Sequence, residues 1–287
     1  MLHGIYTMKF SIWTQYGALN SKPVFNAFAQ GAASQGHTCV ENSNNCDVNV
    51  IWSVLWHGRM AQNKLIYKQK RPVIVLEVGG IKRGTTWKVG LNGINRDAYF
   101  NDGGNDGTRA QALGVELKPW RSTGEYILIC GQHDKSLQWQ GQPSMSNWFL
   151  KTYDEIRAHT DRPIIFRPHP RCRLPEIERG LKHVYRQDPQ HLSGTYDDFD
   201  MNFDNIRATV SYSSNPGIHS VLEGVAAFVG TSSLAYDAAN DIDFIHDIES
   251  PLQPDRTQWL NDYAHTEWTV EEISQGIPLN QLTSRLF

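Results

Sequence analysis

Short apolar runs, separated by polar loops that often contain glycine, set the rhythm of the chain. Residues 5–13 alternate well enough to predict a first strand. Ser21 is placed to cap a helix over 23–34, with Pro23 in its first turn and Gly36 as the stop. Val24, Phe25, Phe28 and Ala32 share one face of that helix. Residues 37–40 predict a second strand, and 47–56 a third that is nearly continuous in apolar and β-forming residues, as in strands covered on both faces. Residues 73–80 predict a fourth strand ending in Glu77 and two glycines. The segment 81–95 has no helical period and is expected to be an ordered loop shaping a binding face. A glycine-rich hinge follows at 102–108, and 117–125 is the best linker.

The rhythm restarts at 126–130. A helix is predicted over 147–159, with Phe149, Leu150, Tyr153 and Ile156 on one face. A strand follows at 164–166, then an irregular polar stretch over 181–200. Further on come a strand at 208–212, a helix at 218–225, a strand at 226–229, a short helix near 236–239 and a largely helical tail from 256. Strands alternating with helices predict an α/β protein with parallel sheets. At 287 residues the chain suits two domains. They are expected at 1–121 and 122–255, with 256–287 packing back toward the first.

Hydrophobic residues make up 40% of the chain, enough for real cores. No apolar run approaches the roughly 20 residues that span a bilayer, and the N-terminus lacks a secretory pattern. A soluble, cytoplasmic protein without a membrane span is expected. Cys39, Cys46, Cys130 and Cys172 are scattered with no CxxC pair, so reduced thiols are expected rather than zinc or a disulfide framework. Residues 1–121 carry 14 Lys and Arg against 7 Asp and Glu, a balance of +7; residues 122–287 carry 13 against 23, a balance of −10. A basic first half suggests a polyanionic partner, although charge runs are often only solvated faces.

Three polar loops end predicted strands in the second half: 131–136, 167–171 and 213–217. In an open parallel sheet such loops lie along one edge and converge on a ligand. In the second, Arg167-Pro168-His169-Pro170-Arg171 holds two arginines and a histidine on a stiff turn suited to phosphate. The third leads into a helix with Pro216 at its start, where free N–H groups and the dipole favour an anion. Each loop alone suits an ordinary turn or cap; three together favour a site.

These loops, in order Gly131-Gln132…Asp134…Ser136, Arg167-Pro168-His169-Pro170 and Ser213-Ser214-Asn215…Gly217, resemble the donor half of GT-B glycosyltransferases. The resemblance is greatest to capsular-polysaccharide and bacteriophage-encoded transferases, and the His-Pro pair is similar to that of sialyltransferase-like and Kdo-transferase-like enzymes. Leu76-Glu77-Val78-Gly79 resembles their acidic–glycine motif, which carries the catalytic base, and 259–276 is similar to their closing helix. The resemblance implies a GT-B fold: two Rossmann-like domains with parallel sheets facing across a cleft, the first for acceptor and the second for a nucleotide-sugar donor. The chain departs from the pattern at His219, where an acidic residue is usual and where Glu223 one turn on would substitute, and at Val78, where a second acid often stands.

The resemblance implies a glycosyltransferase without a cofactor or metal, moving a sugar from a UDP- or CMP-linked donor. Donor contacts are expected from Gln132, Asp134, Ser136, Arg167, His169, Pro170, Ser213, Ser214, Asn215, Gly217, His219 and Glu223. Sugar transfer needs a base to take the acceptor proton and positive groups to meet the leaving phosphate. Glu77 is the first candidate base and His57, at another strand end, the rival. Arg83, Lys82, Trp87 and Tyr16 are expected at the acceptor. The basic half points to a hydroxylated base in phage DNA as acceptor, double-stranded DNA being the partner and the host cytoplasm the place. A capsule-type polysaccharide is the alternative. A non-enzymatic nucleic-acid-binding protein and an α/β epimerase or phosphatase using the same loops are the readings from other classes.

Overall fold

The computed structural model describes residues 7–195 and 198–286. The strands are β1 (Lys9–Ile12), β2 (Thr38–Glu41), β3 (Val48–Trp52), β4 (Val73–Val78), β5 (Thr86–Leu91), β6 (Tyr126–Cys130), β7 (Ile164–Arg167), β8 (Val184–Arg186), β9 (Ile206–Ser211), β10 (Ala226–Val229), β11 (Asn240–Asp241) and β12 (Glu267–Thr269). The helices are α1 (Lys22–Ser34), α2 (Asn63–Tyr67), α3 (Thr108–Ala112), α4 (Met145–Arg157), α5 (Asn215–Leu222), α6 (Thr257–Ala264), α7 (Val270–Ser274) and α8 (Ile277–Thr283). They form two compact units, Met1–Asn105 with Asp262–Phe287, and Asp106–Asn261.

The first unit holds a sheet in the order β12-β5-β4-β3-β1-β2. Pairing is parallel from β2 to β4 and antiparallel at β4–β5 and β5–β12. Phe25, Phe28 and Ala32 of α1 pack on Phe10, Val50, Ile74 and Leu76 of the strands, with Ile273, Leu279 and Leu282 from the tail in the same core. The segment 81–95, expected as a loop, contains β5, every residue of which is buried. Lys88 and Gly90 interrupt its apolar pattern, and the strand exists because β4 and β12 pair with it on either side.

The second unit has an all-parallel sheet, β11-β10-β9-β6-β7-β8. Alternation divides its faces: Ile127 and Ile129 join Phe149 of α4, Phe166 and Val210, while Leu128 and Cys130 join Phe203, Ile206 and Val225. The stretch 181–200, expected to be irregular, contributes the edge strand β8.

The chain enters the second unit within the glycine-rich stretch around 102–108 and leaves it within α6. The proposed linker 117–125 lies inside the second unit: the amides of Lys118 and Arg121 donate to Leu222 and Gly224 carbonyls at 2.9 and 2.7 Å, and Arg256 stacks 3.6 Å over Trp120. The charge asymmetry shrinks accordingly. Counted by unit, it is 12 basic against 9 acidic residues, or +3, and 15 against 21, or −6. Among the described residues no helix is long and apolar enough to cross a membrane.

Candidate functional site

In the second unit the three strand-exit loops do meet. β6 lies between β7 and β9, with Cys130 opposite both Arg167 and Ser211, so the loops leave one edge side by side. Gln132 joins two of them: its Oε1 accepts from the Ser213 amide at 3.0 Å and the Ser213 hydroxyl at 2.9 Å, while its Nε2 donates to Ser136 Oγ at 2.9 Å. Gln132 and Ser213 are both buried, so these bonds hold the loops without competition from water.

The second and first loops share a device. The Arg171 amide donates to His169 Nδ1 and the Lys135 amide donates to His133 Nδ1, each at 3.1 Å. A neutral imidazole held this way carries its proton on Nε2, and so presents a hydrogen-bond donor. The two rings meet edge to face with centroids 5.3 Å apart. His133 is absent from the set expected from the sequence, although it sits in the same strand exit between Gln132 and Asp134. Asp134 is half-buried. Burial works to raise its pKa, but the hydrogen bond and charge of Lys135 at 2.9 Å, with His133 nearby, hold it below the usual carboxylate value.

The third loop runs into α5. Ser214 is its N-cap in extended backbone, yet its hydroxyl makes no capping bond; Ser214 Oγ is buried and, among the described residues, has no hydrogen-bond partner. A buried hydroxyl unsatisfied at a helix N-terminus is where an anion gains most. Gly217 has no room for a side chain, since a Cβ there would come within 2.7 Å of Ser211 Oγ and 3.0 Å of Val229 Cγ1. Asn215 and His219 are half-buried on the same helix.

Other expected donor contacts are placed less favourably. Arg167 is 7% exposed, and its guanidinium bonds the carbonyl of Asp200 and pairs with the Asp200 carboxylate at 3.1 Å. Its charge is therefore met within its own unit. Glu223 caps the far end of α5, eight residues beyond Asn215 or about 12 Å along the axis, where it pairs with Lys118. Pro170 is exposed.

In the first unit Glu77 is half-buried at the end of β4, its Oε1 accepting from the Val78 amide at 2.8 Å. His57 is exposed at the start of a short 3₁₀ turn after β3, the neighbouring strand. Lys82 is exposed and Arg83 half-buried in the β4–β5 connection. Trp87, expected at the acceptor, is instead a core residue: it is buried, 5.6 Å from Trp52, because β5 turns it inward. Tyr16 stacks on Trp13, ring centroids 6.1 Å apart.

Beside Glu77 lies a charged cluster that sequence reasoning missed. Lys88 of β5 stands opposite Glu77 of β4 and opposite Glu267 of β12. Lys88 is 3% exposed and Glu267 fully buried. The Glu267 carboxylate accepts from the Gly80 amide at 2.7 Å, the Ile81 amide at 2.9 Å, Thr86 Oγ1 at 2.8 Å and the Tyr263 hydroxyl at 2.6 Å. A Cβ on Gly79 would collide with that carboxylate and the Thr86 carbonyl. Burial pulls the Lys88 pKa down, opposed by the charges of Glu267 and then Glu77, while Arg83 adds to the lowering. Burial, with the Glu267 charge and hydrogen bond beside it, pushes the Tyr263 hydroxyl well above its usual value.

No family model and no curated protein sequence matches the chain. Among solved structures, the fold is similar to the β-Kdo 2,7-transferase KpsC of Thermosulfurimonas dismutans, with a TM-score of 0.53 and 14% identity over 95% of this chain and 99% of that one. The β-Kdo 2,4-transferase KpsC of the same organism aligns over 91% and 90% with a TM-score of 0.48 and 13% identity. The chain thus has the two-sheet α/β architecture of GT-B proteins.

Proposed function

We propose that this protein is a glycosyltransferase that moves a sugar from a CMP- or UDP-linked donor to a hydroxyl of an anionic polysaccharide, a capsule-type reaction. The observation that carries the reading is the convergence of three strand-exit loops, two tied by Gln132 and the third meeting them through the His133–His169 ring contact, around His169, Ser213 and the Ser214 hydroxyl, which has no partner among the described residues, at the start of α5. That arrangement suits a nucleotide phosphate, and the fold is similar to that of a Kdo transferase. CMP-linked Kdo is therefore the first donor to test. In the proposed reaction the acceptor oxygen bonds to the anomeric carbon and Glu77 takes its proton. The bond from that carbon to the phosphate oxygen breaks, and its electron pair leaves with the nucleotide. His169 Nε2–H, the serine hydroxyls and the α5 dipole meet the charge on the leaving group. A DNA acceptor has less support, since the basic balance on which it rested falls to +3 in the first unit.

The test is calorimetry with CMP, UDP and their sugars, followed by transfer to a Kdo-terminated oligosaccharide read by mass spectrometry. Glu77→Gln is expected to bind the donor nucleotide like the natural protein and to lose transfer. Turnover by that variant at the natural rate would remove Glu77 from the mechanism, and absence of binding to any nucleotide would remove the donor site.

A further inference from the structure

The row Glu77–Lys88–Glu267 crosses three adjacent strands at a single register position, so the three side chains share one face of the sheet. A buried lysine in a strand is unfavourable unless something nearby needs its charge. Glu267 already receives four hydrogen bonds from neutral donors, two of them the successive amides of Gly80 and Ile81. Successive amides of this kind form a nest for an anion, and here the chain fills it with its own carboxylate. The nest lies two residues beyond Val78, whose amide holds Glu77 Oε1. Gly79 and Gly80 would otherwise leave this strand end free to vary.

The groups facing Lys88 are Glu77 from β4, Glu267 from β12 and Arg83 from the β4–β5 connection, with Tyr263 of α6 reaching Glu267. The two carboxylates are not equivalent. Glu267 is inaccessible and saturated, so it anchors; Glu77 is half-buried and, among the described residues, accepts one hydrogen bond, from its neighbour's amide, so it has an oxygen for another partner.

We propose that Glu267 and Lys88 are positioning residues for Glu77. Glu267 pins the Gly79–Ile81 turn and offsets the charge of Lys88, and Lys88 in turn holds the Glu77 carboxylate in place through its charge. The proposal rests on the reading of Glu77 as the base, and it names two residues that touch neither donor nor acceptor.

The experiment uses the full chain labelled with ¹³C at the glutamate carboxyl carbons, the Glu77 signal being assigned from Glu77→Gln. Glu267→Gln and Lys88→Met are compared with the natural protein, and thermal melting of each confirms the fold. Lys88→Arg, which keeps the charge, guards against a Lys88→Met variant that does not fold. The expected result is that the Glu77 resonance moves in Glu267→Gln and Lys88→Met and is largely restored in Lys88→Arg. In CMP-Kdo turnover, kcat should fall by about a hundredfold, as for a reacting group misplaced by an ångström, with the Kd for CMP unchanged. A Glu77 resonance that stays in place in both folded variants overturns the proposal. Activity of Glu77→Gln itself instead overturns the base assignment, so the two failures are distinct.

Discussion

Gln132 is a sensitive test of how the donor loops are held. Replacement by alanine removes the acceptor of the Ser213 amide and hydroxyl and the donor to Ser136. Ser213 is buried, so each orphaned donor costs about 1–3 kcal/mol; Ser136 is half-buried, reaches water and adds little. The sum is about 2–6 kcal/mol. At about 3 kcal/mol, local opening of the 211–215 backbone becomes more than a hundred times as frequent. Hydrogen exchange of peptides covering that segment reads this directly, and the strand β6 amides serve as an internal control. Gln132→Glu keeps an acceptor for both Ser213 donors and should retain most of the protection. The donor nucleotide should bind more weakly to Gln132→Ala because its loops are no longer preorganised. Unchanged exchange at Ser213 in Gln132→Ala would refute the reasoning.

Two further outcomes follow from the second unit. Glu249 receives a bidentate pair from Arg162, at 2.8 and 3.0 Å, and a hydrogen bond from Thr160, and the Arg162 hydrogen bond leads in holding its pKa below 4.5. Its stabilisation is complete above 4.5 and is lost as pH falls through the lowered folded value. Because the pair is partly exposed, Glu249→Gln should cost only about 1 kcal/mol at pH 7, with the urea midpoints of variant and natural protein converging below pH 4.5. Gly217→Ala should cost about 1–3 kcal/mol by overpacking against Ser211 and Val229, seen as a lower melting temperature and weaker nucleotide binding together.

The parts legible in the sequence are those whose partners are local. β6 and β10 fall on the runs 126–130 and 226–229 because four or five apolar residues bounded by polar loops need no distant information. The edge that gathers Gln132, His169 and Ser213 follows from parallel strand order alone. β5 and β12 were hidden by the residues that matter most in them. Lys88 makes Thr86–Leu91 read as a polar segment, and Glu267 makes a three-residue strand read as part of a helical tail. Both charges are acceptable inside because most of their partners come from 11 to 187 residues away, beyond any periodicity. Trp87 follows the same logic: an aromatic in an assumed loop suggests a ligand, whereas in a central strand it is core. His133 is legible as well, since it lies in the same strand exit between Gln132 and Asp134.

The way the chain visits its units also sets an order of events during synthesis. The second unit is one unbroken stretch, while β12 reaches the first only after that stretch has been made. At about 5–20 residues per second, Glu267 follows Asn105 out of the ribosome by roughly 8–30 s. Throughout that wait the stretch of β5 that will face β12, Thr86–Lys88, lacks its partner strand on that side. An edge strand carrying a lysine resists adding a foreign strand. A lysine at that position, as Lys88 is, disfavours pairing with a foreign strand until β12 takes its place.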